Sequence, residues 1–114
     1  MNLPESALRL TVYTGEDDRI DHRPLHEVIV EEARKQGLAG ATVKRGAMGF
    51  GANSRVHTTK ILRLSEDLPI IIELVDVSEK INAFKKFLDR TMKEGLVTIE
   101  KVEVVFYRHN EGHK

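Results

Sequence analysis

The sequence has no cysteine, no excess charge of either sign and no long apolar run, and each absence removes a class of function. Without cysteine, neither disulfides nor thiol chemistry can operate. That composition fits the cytosol, and a cytoplasmic protein is expected. Eighteen Lys and Arg balance eighteen Asp and Glu. A dedicated nucleic-acid binder usually carries a basic excess, so no nucleic-acid partner is expected. Neutrality also withholds the solubility that net charge gives, which suits an assembly with little exposed apolar surface. No apolar stretch approaches the roughly 18–20 residues of a membrane span, so no direct membrane insertion is expected. Met1 to Leu8 lacks the basic-then-apolar order of a secretory signal. The length, 114 residues, fits a single domain, 1–114.

The patterning that remains is α and β in alternation. Leu8 to Thr14 alternates, with Leu8, Leu10 and Val12 on one face, which predicts a half-buried strand. Gly15-Glu16-Asp17-Asp18 reads as an acidic turn. Pro24 suits the first position of a helix; Leu25, Val28, Ile29 and Ala33 follow at helical spacing, and Gly37 suits the left-handed position beyond its end. Ala41 to Arg45 predicts a second strand, and Ile61 to Leu64 a short extension. Pro69 opens a third strand through Val75. Ser78 is the expected N-cap of a second helix, with Ile81, Phe84, Leu88 and Met92 as its buried stripe and Gly95 after it. Val97 to Tyr107 predicts the last strand, followed by a frayed tail at 109–114. The order β-α-β-β-α-β predicts an α+β, ferredoxin-like sandwich: an antiparallel four-stranded sheet with two helices on one face. The third strand is apolar on both faces, Ile70, Ile72 and Leu74 against Ile71 and Val75, and the last strand sets Val102, Val104 and Phe106 on one side and Val105 and Tyr107 on the other. With no third helix to cover such strands, a symmetric oligomer in which the bare faces meet is expected.

The residues that could carry chemistry are few. Gly46-Ala47-Met48-Gly49-Phe50-Gly51 holds three glycines in six residues. Consecutive N–H groups there can form a concave anion site, and Arg45, Arg55, Lys60 and Arg63 lie around it. No Gly-Lys-Ser/Thr follows, so it is no Walker A loop, and the spacing does not fit a dinucleotide fingerprint. His22 and His26 are four apart, but Pro24 spoils the helical geometry for a metal, and they read as solvated residues at a helix start. No metal is expected. Glu73, inside an apolar strand, needs a partner if buried; Arg9 or Arg45 could supply one. Glu16, Asp17 and Asp18 could hold a cation but read as solvated carboxylates. No nucleophile elbow surrounds Ser54 or Ser65, and no enzyme is expected.

At Arg45-Gly46-x-x-Gly49-Phe50-Gly51 the chain resembles the PII-like signalling family, in its DUF190 branch. Supporting stretches are Tyr13-Thr14-Gly15-Glu16-Asp17, Pro24-Leu25-His26-Glu27, Gly37 to Val43, Leu62 to Pro69, and Glu100-Lys101-Val102. The resemblance implies a homotrimer with an adenine-nucleotide site in the cleft between subunits. It also implies a loop, here about 52–67, that nucleotide reshapes and that engages a regulated partner, often a membrane transporter. Gly49, Gly51 and Asn53 fall where that pattern contacts nucleotide, with Phe50 between them. Arg55, His57 and Arg108 are the candidate phosphate contacts.

Departures from the pattern point to a ligand of lower charge. The phosphate-binding lysine after Leu68-Pro69 is replaced by Ile70. The paired arginines of the last strand are replaced by Tyr107 and His109. The basic glycine-rich turn shrinks to Lys93-Glu94-Gly95. The resemblance therefore implies AMP or ADP rather than ATP. No tyrosine lies in 52–68, so the loop modification known in some PII proteins has no acceptor. The resulting expectation is a nucleotide sensor acting on a partner protein, with a nucleotide-processing enzyme or a metal-binding trimer of the cation-tolerance type as alternatives. Little apolar packing holds Ala52 to Lys60, which are expected to be mobile without ligand.

Overall fold

The computed structural model describes residues 6–47 and 68–108. Strand β1 (Ser6–Gly15) leads into a hairpin of two very short strands, β2 (Arg19–Ile20) and β3 (Arg23–Pro24). Helix α1 (Leu25–Lys35), strands β4 (Gly40–Arg45) and β5 (Pro69–Asp76), helix α2 (Ser78–Thr91) and strand β6 (Leu96–Glu103) follow. The main sheet has the order β4-β5-β1-β6, and every pairing in it is antiparallel. This is the ferredoxin-like α+β arrangement that the patterning predicts, with one added hairpin before α1.

Strand alternation decides which face takes the helices. Leu10 and Val12 of β1 and Ile70, Ile72 and Leu74 of β5 are buried on one side. They pack with Leu25, Ile29 and Ala33 of α1 and with Ile81, Phe84 and Leu88 of α2 in a single core. Met92, expected as the fourth member of the α2 stripe, is the C-cap residue and packs half-buried against this core. Helix α1 ends as its sequence predicts: Gly37 adopts φ +76, its N–H donates to the Arg34 carbonyl and that of Leu38 to Ala33. These are the paired bonds of a Schellman motif.

Among the described residues the opposite face carries no helix. The register sets Tyr13 between Ile71 and Leu96, and Arg9 between Val75 and Glu100. Arg9 pairs with Glu100 at 2.6 Å and Lys44 with Glu73 at 3.2 Å. The short hydrogen bond from Arg9 to Glu100 holds the guanidinium pKa above its ordinary value. Glu73 thus takes its partner from neither expected arginine. Thr42 is its cross-strand neighbour, and the long side chain of Lys44, two residues along on the same face, reaches back to it.

Three further expectations are corrected, and one element is new. Pro24 is the N-cap of α1, not its first helical residue. Ser78 is the first helical residue of α2, whose N-cap is Val77, with no side-chain cap bond. The last strand ends at Glu103, not Tyr107; among the described residues its pairing with β1 runs to the Ser6–Glu103 match. The Arg19–Pro24 hairpin was not foreseen: its two-residue turn, Asp21-His22, has positive φ at both positions (50 and 68), the sign pattern of a type I′ turn usually built with glycine.

Among the described residues Asp76 is the buried charged side chain, only 1% exposed. Its carboxylate accepts the N–H of Val77 at 2.6 Å and that of Ala39 at 2.8 Å. It thereby ties the start of α2 to the connection between α1 and β4.

Candidate functional site

The glycine-rich segment leaves the sheet at one end, where β1 and β4 finish and β5 and β6 begin. Its roots are pinned. The Gly46 N–H donates to the Pro69 carbonyl at 2.8 Å, and the Glu16 N–H to the Leu68 carbonyl at 2.8 Å. A Cβ on Gly46 would stand 2.8 Å from Pro69 Cγ, so the two roots pass too closely for a side chain there. Arg45 pairs with Glu16 at 2.8 Å, which engages one cation expected to face the glycine segment. The acidic turn is likewise structural. Asp18 accepts the Gly15 N–H through its carboxylate at 2.9 Å, and its carbonyl accepts the Leu25 N–H.

At the other edge of the sheet a groove of about 500 Å³ opens between α2 and β6. Leu88, Met92, Val97 and Ile99 form its apolar floor, with Lys85 and Asp89 at its rim. The Lys93-Glu94-Gly95 turn closes its end. Gly95 has φ +126, and a Cβ there would lie 2.9 Å from the Tyr13 carbonyl. Only glycine meets both demands without strain. The groove was not foreseen. Its signal lay in Val97 and Ile99, which alternate as core residues do, yet remain 37% and 38% exposed because β6 is an edge strand beyond the reach of α2.

Of the expected nucleotide contacts, Gly49, Phe50, Gly51, Asn53, Arg55 and His57 lie outside the described residues, as do the segment 52–67 and the 109–114 tail. Arg108 is described, and it sits far from the Gly46 root of its own chain. Strand β6 runs from Leu96, opposite Tyr13, to Glu103, opposite Ser6. The chain then crosses the lower end of the sheet, a width of about 14 Å for four strands. The Tyr107 hydroxyl donates to the Ala39 carbonyl at 3.1 Å, fixing the crossing just below β4. The Arg108 guanidinium stacks 4.1 Å from the centre of the Phe106 ring, a cation–π contact. Within one chain, Arg108 and the roots of the glycine segment therefore occupy opposite ends of the sheet.

The two helix-start histidines do not act as a pair. His22 is exposed in the left-handed turn. His26 is half-buried on α1, its Nδ1 buried and without a hydrogen-bond partner among the described residues. Nearby, Arg23 grips Glu31 with two bonds, at 2.9 and 2.6 Å. That contact holds the Glu31 carboxyl below its ordinary value and the Arg23 guanidinium above its own. Among the described residues no group of three or more His, Asp or Glu could hold a metal ion, and no helix is long and apolar enough to cross a membrane.

Comparison with known proteins places this geometry in context. The DUF190 family model, described as uncharacterized ACR, matches residues 7–104. A UPF0166 protein of Aquifex aeolicus (strain VF5) is 35% identical over 99 residues, 85% of this chain and 91% of that one. A UPF0166 protein of Methanocaldococcus jannaschii is 34% identical over 96 residues, 83% of this chain and 88% of the other. Among solved structures, a protein assigned to PII-like signalling in Thermus thermophilus superposes with TM-score 0.62 at 19% identity, covering 88% of this chain and 90% of that one. CPII of Thiomonas intermedia K12, a nitrogen regulatory PII-like protein solved with ADP, AMP and bicarbonate, also reaches 0.62, at 12% identity, covering 87% and 94%. At these identities the structural likeness is one of fold.

Proposed function

The chain belongs to the DUF190 family, and from that premise we propose that it is a PII-like regulatory protein that senses adenine nucleotide, AMP or ADP in preference to ATP. One observation carries the reading: the PII-like fold is shared with a protein that holds ADP and AMP, and here a glycine-rich segment leaves that fold from two pinned roots. Gly49, Phe50, Gly51 and Asn53 shape the site, and Arg55, His57 and Arg108 supply phosphate contacts. Arg108 stands at the end of its own sheet opposite the Gly46 root, and the ligand in this reading bridges two subunits, meeting Arg108 of one and the glycine-rich segment of the other. The segment 52–67 transmits occupancy to a partner protein, a membrane transporter being one candidate.

The assembly proposed is a trimer through the open sheet face. Tyr13 and Leu96 are 40% and 55% exposed there, beside half-buried Ile71 and Val75, while two ion pairs neutralise the charges among them. A face of this kind can be desolvated without stranding a charge.

Calorimetry with AMP, ADP and ATP on the native protein and on Gly51→Val and Arg55→Ala, each shown to keep its assembly state, tests the reading. Gly51→Val is expected to abolish binding. Arg55→Ala is expected to weaken it by about 1.5–3 kcal/mol if the charge-assisted bond is shielded. Unchanged affinity in Gly51→Val places the ligand elsewhere, a clear preference for ATP overturns the predicted specificity, and product formation makes the protein an enzyme.

A further inference from the structure

Beyond β6 the chain continues through residues 104–108 without strand or helix. Val105, Phe106 and Arg108 are exposed along it, whereas Tyr107 is half-buried. An irregular segment with outward side chains fluctuates unless something ties it down. The Tyr107 hydroxyl, which donates to the Ala39 carbonyl at 3.1 Å, is such a tie. We propose that Tyr107 is a positioning residue of the nucleotide site: its hydroxyl holds the segment that presents Arg108.

The anchor is itself fixed. The Ala39 N–H donates to the buried Asp76 carboxylate at 2.8 Å, so Ala39 is gripped at both its N–H and its carbonyl. Lys80 Nζ donates to the Gly37 carbonyl at 2.9 Å, and the Gly37 and Leu38 N–H groups bond back to the last turn of α1. The connection from α1 to β4 is thus held to both helices where Tyr107 reaches it. Tyr107 also stands between the two members of the Phe106–Arg108 stack, 4.1 Å from ring centre to guanidinium, and steadies the backbone that carries both. A stacked guanidinium keeps its in-plane N–H groups for an anion. Ordering a loose segment when the ligand arrives subtracts from affinity, and a segment ordered beforehand avoids that cost. Tyr107 orders Arg108 in advance. This role rests on the reading of Arg108 as a phosphate contact and adds to it a residue that acts through Arg108.

Tyr107→Phe deletes the hydroxyl and keeps the ring. ADP calorimetry on the native protein, Tyr107→Phe, Arg108→Ala and the double variant tests the role, each variant shown to keep its circular dichroism and assembly state. Tyr107→Phe is expected to bind ADP about three- to tenfold more weakly, the range of one neutral hydrogen bond. In the Arg108→Ala background the same change is expected to cost less than about twofold. Native affinity in Tyr107→Phe overturns the proposal, and so does an equal loss in both backgrounds, which would mark a general structural effect. Backbone nitrogen relaxation on the ligand-free protein reads the tie without nucleotide. Order parameters at Phe106 and Arg108 are expected near ~0.85 in the native protein and below ~0.6 in Tyr107→Phe; unchanged values overturn the tie. If the native protein does not bind ADP, or Arg108→Ala binds it as tightly as the native protein, the underlying reading is refuted and the positioning role with it, even where relaxation shows the tie to be real.

Discussion

Replacing Asp76 tests whether one buried carboxylate joins the two halves of the fold. It accepts two backbone N–H bonds, from Ala39 and Val77, and is 1% exposed. A hydrogen bond to a charged group contributes about 1.5–3 kcal/mol. Ala39 and Val77 are only half-buried, so water can recover part of the loss in a truncation. Asp76→Ala is therefore expected to cost about 3–5 kcal/mol, a large share of the ~5–15 kcal/mol that holds a domain together. Asp76→Asn keeps one acceptor but turns an amide N–H₂ toward the second donor, and is expected to cost about 1.5–3 kcal/mol. The assay is urea unfolding followed by circular dichroism at one fixed protein concentration, because assembly makes apparent stability concentration-dependent. Amide exchange at Ala39 should accelerate in both variants. If Asp76→Ala stays within about 0.5 kcal/mol of the native protein, the carboxylate is not the tie described here and the reasoning fails.

Other substitutions probe strain and charge. His22→Gly relieves a left-handed backbone costing ~1–2 kcal/mol and adds unfolded-state freedom costing ~0.5–1 kcal/mol; a net gain of about 0.5–1 kcal/mol is expected in the same urea titration, and a loss would contradict the turn assignment. Gly95→Ala meets both φ +126 and the Tyr13 carbonyl; a cost of about 1–3 kcal/mol is expected, read as a lowered melting temperature. Glu31→Gln removes a carboxylate whose folded pKa is depressed by Arg23. That pair stabilises above the unfolded glutamate value and its contribution is lost as pH falls through the folded value. The variant should accordingly show a flatter fall in stability below about pH 4.3, and an unchanged acid profile would show the pair to be inert.

The parts legible in the sequence were those set by local periodicity. Alternation in β1 and β5, the Ile81-Phe84-Leu88 stripe and the glycine beyond α1 each depend on neighbours a few residues away. They recur in the structure on the expected faces, and with the β-α-β-β-α-β order they determine the sandwich. The edges of the candidate site depend on distance through space. Arg45 has the composition of a phosphate ligand, yet the turn after β1 delivers Glu16 to it. Glu73 finds Lys44, because side-chain reach across the paired strands decides which cation arrives. Asp76 shares the core-facing phase of Ile72 and Leu74, and only the approach of Ala39 from the α1–β4 connection makes a carboxylate tolerable there. Arg108 lies shortly beyond β6 in sequence, but the antiparallel run of that strand and the Tyr107 bond to Ala39 carry it to the end of the sheet opposite the Gly46 root. Sequence alone determined the layers, because layers follow from the burial period of single elements. Tertiary structure decided the pairings and the ends, because these depend on register and chain direction, which no local window contains.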